Sequence, residues 1–390
     1  MFRNVVVGIS GGVDSGVSAY LLKEKGFKVL GIFMKNWDEY DETGRCSGEQ
    51  DLLDAEYTCD KLGIELHQVN YVKDYWNSVF SHFLDDYQNG LTPNPDILCN
   101  RHIKFDLFYK YALENLKYDA IATGHYAKTN FGSYLENYKE EKAAELRIPK
   151  DAFKDQTFFL AAVKRDALRK IMFPLSDLYK IETKEIAKKC GLNRLTQKRE
   201  STGICFVGRR DFKEFIKEYI IPKPGNFIDT DTQQIVGQHD GIHLWTIGQR
   251  CRLSSHLKPY YVAQKDIFTN TIYVASGHDH PKLFSDVIFA NHVNWLCPDP
   301  LIKPNSVLKC RFRFQHTKPL VKCLIYRNFD MSDDEVEVLL DKPLRAITPG
   351  QYAVFYNDTN CLGCARIVKS NMMDNRDNVI CLEEKAKNNL

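Results

Sequence analysis

At 390 residues, with 44% hydrophobic residues and a formal net charge of +2, the chain has material for large buried cores and divides into two or three domains. No apolar run reaches the roughly 18 residues of a membrane-spanning helix, and 12 cysteines in a chain of this size argue for free thiols, some of them reactive, over a disulfide framework. The total charge names no partner, but the stretch from Lys164 to Lys217 carries fifteen Lys/Arg against seven Asp/Glu, a basic field that suits a polyanion, while Asp330 to Glu337 is acidic.

The first predicted element is the β-branched run Val5-Val6-Val7, which ends in Gly8-Ile9 and empties through Ser10-Gly11-Gly12 into a helix opening at Val13-Asp14-Ser15. Two adjacent glycines at a helix N-terminus leave backbone N–H groups where donors and dipole both favour an anion. Ser10 and Ser15 add hydroxyl donors, and Asp14 suits the Mg²⁺ that accompanies nucleotide phosphates. The spacing is neither GxGxxG nor Walker A, which needs a lysine after its glycines. It resembles the PP-loop of ATP pyrophosphatases, which split ATP between the α- and β-phosphates and leave AMP on a substrate oxygen. An ordinary strand-to-helix turn is the alternative.

The helical stripe from Val13 to Lys25 stops at Gly26, a C-cap position. A second strand is predicted over Val29 to Met34, a helix over Glu49 to Leu62, a third strand over Glu65 to Tyr71, helices over Tyr75 to Tyr87 and Ile103 to Leu116, and a strand over Asp119 to His125. Such alternation implies a parallel sheet whose ligands bind beyond the carboxyl ends of its strands. Met34 and Gly124 fall at such ends, Met34 beside an adenine ring and Gly124 allowing close backbone approach. His125 follows in the same place, as part of the site or as a satisfied structural histidine.

Two loops interrupt the pattern. In Gly90 to Asn100, Pro93 and Pro95 disfavour a helix and hold Asn94, Asp96 and Cys99 on a stiff, extended backbone. The second, Glu200 to Gly208, brackets Cys205 between glycines inside the basic region. Segment 130–150 resembles a variable insertion, and no function is read from it. Past Pro222-Lys-Pro-Gly225 the runs Asn226 to Val236, Ile242 to Ile247, Tyr260 to Lys265 and Thr271 to Ala275 are short and alternating, and further strands are predicted over Val287 to Trp295, Leu308 to Phe314, Val321 to Tyr326, Glu335 to Leu340 and Tyr352 to Phe355, which suggests a barrel. Cys361-Leu-Gly-Cys364 has CxxC spacing but no second ligand pair, and reads as a turn between strands. His278-Asp-His280 reads as a solvated loop. No metal site is assigned, and Cys46, Cys59, Cys190, Cys251, Cys297, Cys310, Cys323 and Cys381 are taken as small buried hydrophobes.

Six motifs in one order carry a more specific resemblance: SGGVDS at 10–15, TPNPDILCN at 92–100, ATGHY at 122–126, KDQTFFL at 154–160, GICFVG at 203–208 and TIGQR at 246–250. Together they resemble the tRNA-specific 2-thiouridylases over essentially the whole chain, and FMKNWD, CNRHIKF, KDQTFFL and FRFQH are similar to the eukaryotic mitochondrial branch. The resemblance implies an α/β fold with a Rossmann-like PP-loop ATP pyrophosphatase domain (1–217) built on a parallel sheet, a small β-rich adaptor domain (218–281) and a C-terminal β-barrel that binds tRNA (282–390). It implies ATP-dependent 2-thiolation of the wobble uridine (position 34) of mitochondrial tRNAs for Lys, Glu and Gln. ATP and Mg²⁺ would be held by Gly8 to Ser15 with Met34 and Gly124.

By the same resemblance Cys205 carries a persulfide, Cys99 is its partner nucleophile and forms a disulfide with it, and Asp96 is the acid/base. Asn94, Pro95, Asp96, His125, Lys154, Asp155, Gln156, Arg313, Phe314 and Gln351 would touch tRNA, a barrel surface being the alternative for the last three. The implied partners are tRNA and the sulfur-donor protein of a persulfide relay, with no membrane and a monomeric enzyme. Mitochondrial placement rests on the resemblance alone, since the first strand begins by Asn4 or Val5 and leaves no room for an Arg- and Ser-rich presequence. The competing expectations are another PP-loop tRNA- or nucleotide-modifying ligase, which needs no paired thiols, and a noncatalytic tRNA- or nucleotide-binding module, which could lose Asp14 or Cys205.

Overall fold

A computed structural model describes residues 2–37, 47–198, 206–208, 210–253, 258–301, 306–327 and 331–372. The first part of the chain contributes β1 (Asn4–Gly8), β2 (Lys28–Lys35), β3 (Glu65–Asn70), β4 (Ala120–Ala122), two short strands β5 (Lys128–Thr129) and β6 (Leu146–Arg147), and β7 (Ile171–Met172). A parallel sheet runs in the order β3-β2-β1-β4-β7. Val5, Val6 and Val7 are fully buried because β1 is central and covered on both faces, which is why it reads as a continuous apolar run.

The chain leaves β1 toward β2 and β3 on one side and later fills β4 and β7 on the other. The crevice at the carboxyl ends of β1 and β4 is therefore the topological switch point, where doubly wound sheets bind ligands. Helix α1 (Val13–Glu24) and helix α2 (Ser47–Leu62) fall where the apolar periodicity predicts, and Gly26 and Gly63 end them in the left-handed region. β4 is shorter than the predicted run to His125, because beyond Thr123 the backbone turns away toward the switch point.

The loop expected over Gly90 to Asn100 is half helix. Pro95–Cys99 is helical, and helical backbone goes on to residue 115 with wide π turns at Asn100–Leu107 and Tyr111–Asn115 and a kink at Phe105, whose φ of −114 and ψ of 18 are not helical. Pro95 occupies the first helical position, where its fixed φ is already helical and its missing N–H is one the helix leaves unbonded. Pro93 lies outside it.

The middle of the chain forms a second sheet from β8 (Gly225–Asp229), β9 (Ile235–His239), β10 (Arg250–Cys251), β11 (Tyr260–Asp266) and β12 (Thr271–Ser276) in the order β10-β11-β12-β8-β9. The predicted strand Ile242 to Ile247 is instead a 3₁₀ turn at Ile242–Leu244 that buries all three side chains. β13 (Phe284–Trp295), β14 (Val307–Arg313), β15 (Val321–Tyr326), β16 (Val336–Arg345), β17 (Tyr352–Asn357) and β18 (Asn360–Asn371) close into a barrel in the order β13-β16-β15-β14-β17-β18, with β18 returning to β13. Cys361 and Cys364 lie inside β18, both buried, where the sequence suggested a turn; Gly363 at φ +141 is the irregularity between them.

Segment 130–150 is no mere insertion. Phe131, Leu135 and Ala144 are buried in the core of the parallel-sheet unit, and the β5–β6 hairpin extends the barrel's sheet by pairing Leu146 with Cys361 and Arg147 with Asn360. That core also takes in Tyr352, Val354, Tyr356 and Cys364 of the barrel, so apolar packing is continuous across the two units.

At its centre Arg313, 7% exposed, is ion-paired with Asp155, 2% exposed. The guanidinium also donates to the Tyr356 hydroxyl at 2.9 Å, and Asp155 Oδ1 accepts from Thr157 N at 3.0 Å and Thr157 Oγ1 at 2.7 Å. Removing one partner of such a pair strands a buried charge. Arg313→Ala is expected to lower unfolding free energy by about 3–5 kcal/mol, and Arg313→Met with Asp155→Leu to recover part of that loss, as read from urea unfolding.

Candidate active site

The loop after β1 is built by its own side chains. Ser15 Oγ donates to Gly12 O at 3.0 Å and accepts from Ser10 N at 3.1 Å, tying both ends of the Ser10–Ser15 segment together. Gly11 sits at φ +70, and a Cβ there would lie 2.3 Å from the Asp51 carbonyl of α2, so only glycine fits. Gly12 is the N-cap of α1 and offers no side chain to its first-turn N–H groups. Those donors are left for a ligand.

Gly8, Met34 and Gly124 frame this cradle. The position of a Gly8 Cβ would be 3.2 Å from Met34 Cε and 3.6 Å from the Phe108 ring, so Met34 and the 95–115 helical run both reach the end of β1. Gly124 approaches closely, as expected, but what it approaches is α1: its Cβ would be 2.6 Å from Ser15 N and 2.8 Å from the Asp14 carbonyl carbon.

Asp14 projects from the first turn of α1 and is already engaged. Lys180 Nζ lies 2.6 Å from both carboxylate oxygens, and the Tyr126 hydroxyl donates to Oδ1 at 3.2 Å. Tyr126 is buried, and burial with Asp14 beside it pushes its phenol well up, so it remains a donor. Neither Lys180 nor Tyr126 stood out in the sequence. Lys180 is 166 residues from Asp14 with no local signal, and Tyr126 was passed over beside His125 in the same motif.

A magnesium ion on Asp14 fits the donor chemistry, one carboxylate plus substrate phosphates being its usual protein share. Among the described residues no group of three or more His, Cys, Asp or Glu could hold a metal by itself.

The helical run 95–115 brings the second half of the site. Asp96 is exposed at its surface, yet the protein packed around its carboxyl raises it above the usual carboxylate range, opposed by the Lys104 charge. His125 bonds Thr123 Oγ1 through Nδ1 at 2.8 Å and lies 5.6 Å from the Phe105 ring, and burial followed by Lys104 drives its pKa well down, so the imidazole is neutral. Lys104 therefore acts on both Asp96 and His125, and it too escaped the sequence reading.

Cys99 is 5% exposed, in a cluster with Tyr75, Phe80, Phe83, Ile103 and Phe215, rather than on an open loop. Cys205 lies outside the described residues; its neighbours Phe206 and Val207 pack in that same cluster. The other cysteines described, Cys59, Cys190, Cys251, Cys297, Cys310, Cys323, Cys361 and Cys364, are thiols.

The positions expected to meet tRNA divide. Gln156 clasps Tyr126 in both directions, accepting from its N at 2.8 Å and donating its own N to its carbonyl at 2.9 Å. Asp155 and Arg313 are consumed by each other, and Phe314 is 4% exposed inside the barrel core, stacked on Phe312, so it presents no face to a base and is not a barrel-surface residue either. Gln351 and Asn94 bond one another at 3.3 Å. Pro95 is buried, while Asp96, His125 and Lys154 retain exposure.

Family models match in three consecutive stretches, described as a tRNA methyl transferase HUP domain over residues 3–209, a tRNA methyl transferase PRC-barrel domain over 213–276 and an aminomethyltransferase beta-barrel domain over 285–367. The mitochondrial tRNA-specific 2-thiouridylase 1 of Drosophila melanogaster is 62% identical over 379 residues, covering 97% of each chain. That of Homo sapiens is 43% identical over 384 residues, covering 94% of this chain and 90% of the relative. The tRNA-specific 2-thiouridylase MnmA of Proteus mirabilis is 42% identical over 367 residues, covering 93% and 96%. With such identity along nearly the full length of both partners, and a cradle and thiol helix meeting at one switch point, this chain belongs to the tRNA-specific 2-thiouridylase family.

Proposed function

We propose that the protein converts the wobble uridine of mitochondrial tRNAs to 2-thiouridine, consuming ATP and a persulfide sulfur. The observation that carries this reading is convergence: the run bearing Asp96 and Cys99 passes the phosphate cradle, with Phe108 against Gly8 and Phe105 against His125. The elements that carry the cradle and the Cys99 thiol thus meet at the end of β1. The protein works in mitochondria, as the names of its fly and human relatives say of them. It acts as a monomer and takes sulfur from a persulfide-bearing donor protein.

Oxide is too poor a leaving group for direct replacement at C2. Asp96 takes the N3 proton of the uridine while the C2 oxygen attacks the α-phosphate, and pyrophosphate departs. The donors of Ser10, Gly12 and α1, with Lys180, neutralise the charge that develops there. Magnesium bound at Asp14 supplies further charge neutralisation. The terminal sulfur of the Cys205 persulfide then attacks C2 and AMP leaves with the oxygen. Cys99 attacks the Cys205 sulfur, releasing the thiocarbonyl and forming a Cys99–Cys205 disulfide, which a thiol reductant reopens.

Methyl transfer, suggested by the wording of the family models, would need neither a PP-loop nor a nucleophilic thiol on this helix. A PP-loop ligase that adds an amine would use the cradle but not Cys99.

Persulfide labelling tests the thiol roles. Cys205→Ser is expected to take up no persulfide, and Cys99→Ser to take it up yet fail to turn over. Sulfur on Cys99 in the Cys205→Ser protein, with thiolation retained, contradicts the assignment.

A pH profile tests Asp96. Since Lys104 lowers this carboxyl against the raising effect of burial, Lys104→Met removes only the lowering influence, and the pKa climbs further. The acidic limb of thiolation, where Asp96 must be ionised, is then expected to shift to higher pH. An unmoved limb removes Asp96 as the base.

A further inference from the structure

The barrel reaches back to the thiol-bearing helix through the turn between β16 and β17. Gly350, at φ +92, brings the backbone so close that a Cβ there would lie 2.8 Å from Thr92 N and 2.9 Å from Thr92 O, and Thr92 N donates to Pro349 O at 3.0 Å. The next side chain, Gln351, uses its whole amide on the segment entering the helix. Its Nε2 donates to Thr92 O at 2.9 Å and Pro93 O at 3.2 Å, and its Oε1 accepts from Asn94 Nδ2 at 3.3 Å. The Gln351 backbone is itself fixed, donating to Thr348 O at 3.2 Å and accepting from Ile367 N at 2.8 Å. Beside it, Arg366 pairs with Asp86 across the same junction.

What makes this more than docking is the state of Asn94. It is the N-cap of Pro95–Cys99, a position where asparagine ordinarily caps its own helix, yet no side-chain cap bond is present. Pro95 at the next position has no N–H. The start of the short helix that aims Asp96 and Cys99 is therefore anchored from outside, by a glutamine on the barrel.

We infer that Gln351 is a positioning residue for thiolation: it fixes the entry of the Pro95–Cys99 helix, and with it the aim of Asp96 and Cys99, from the barrel. This differs from a direct contact with tRNA, and it rests on the thiolation reading above. A neutral amide is required, because two donors must meet consecutive carbonyls while one acceptor meets Asn94. Glutamate keeps the acceptor and loses both donors, and methionine keeps the volume and loses all three bonds.

The test pairs steady-state thiolation of a tRNA transcript with hydrogen–deuterium exchange of the full-length protein over residues 91–99. Gln351→Ala, Gln351→Glu and Gln351→Met are all expected to speed exchange in that segment and to lower kcat by about 10- to 100-fold, the scale of a small misplacement of reacting groups. KM for tRNA should stay at its wild-type value. Asn94→Ala, which removes one bond of the three, is expected to show the same pattern at smaller amplitude, and it carries the test if the Gln351 variants do not fold. A raised KM for tRNA with unchanged kcat and unchanged exchange overturns the inference and makes Gln351 an RNA contact. Absence of thiolation by the wild-type protein instead refutes the underlying reading, while the exchange result still decides whether the anchor exists.

Discussion

The rest of the molecule depends on one buried charge pair, Asp155 with Arg313. It joins the 154–160 segment to β14 of the barrel, in a place where neither charge could survive alone. Its reach is set by covalent neighbours. Gln156, next to Asp155, grips Tyr126 at both backbone groups; Tyr126 donates to Asp14; and Asp14 holds Lys180 at the mouth of the phosphate cradle. A continuous polar chain thus runs from the barrel to the residue best placed to meet a nucleotide's metal.

The same junction handles the thiol side. Gly350 and Gln351 grip the segment before Asp96, and the core beneath them is common to both units. In the proposed reaction, activation of an oxygen and delivery of a sulfur are in this way referred to one continuously packed frame. Cys99 is buried among aromatic rings, which keeps bulk water from that thiol.

Much of this was legible from residue order, for physical reasons that differ by element. β1 and α1 were readable because a buried central strand must be apolar throughout and a phosphate loop must place its glycines between strand and helix. The barrel strands were readable because one-sided burial imposes alternation, and β13 to β17 fall on the expected runs, while β18 runs straight through the Cys361–Cys364 stretch that reads as a turn. What could not be read were partnerships over long sequence separations. Arg313 and Phe314 look like surface residues of an RNA-binding barrel, but the strand β14 on which Arg313 lies faces the catalytic unit, which buries the arginine against Asp155, and Phe314 turns into the core. Lys180 carries no motif of its own, and the helical start at Pro95 was masked because proline breaks a helix interior and suits its first position equally well. Segment 130–150 gave no signal because its strands pair with a sheet formed more than two hundred residues later.

In the proposed reaction the C2 oxygen of the uridine passes to the α-phosphate held in the Ser10–Ser15 cradle before sulfur arrives. Transcripts carrying ¹⁸O at C2 of the wobble uridine, thiolated with ATP and a persulfide donor, test it directly by mass spectrometry of the nucleotide products. One ¹⁸O in AMP for each thiouridine formed, and none in pyrophosphate, is expected. Unlabelled AMP alongside thiouridine, with the ¹⁸O recovered in water or in pyrophosphate, would contradict it.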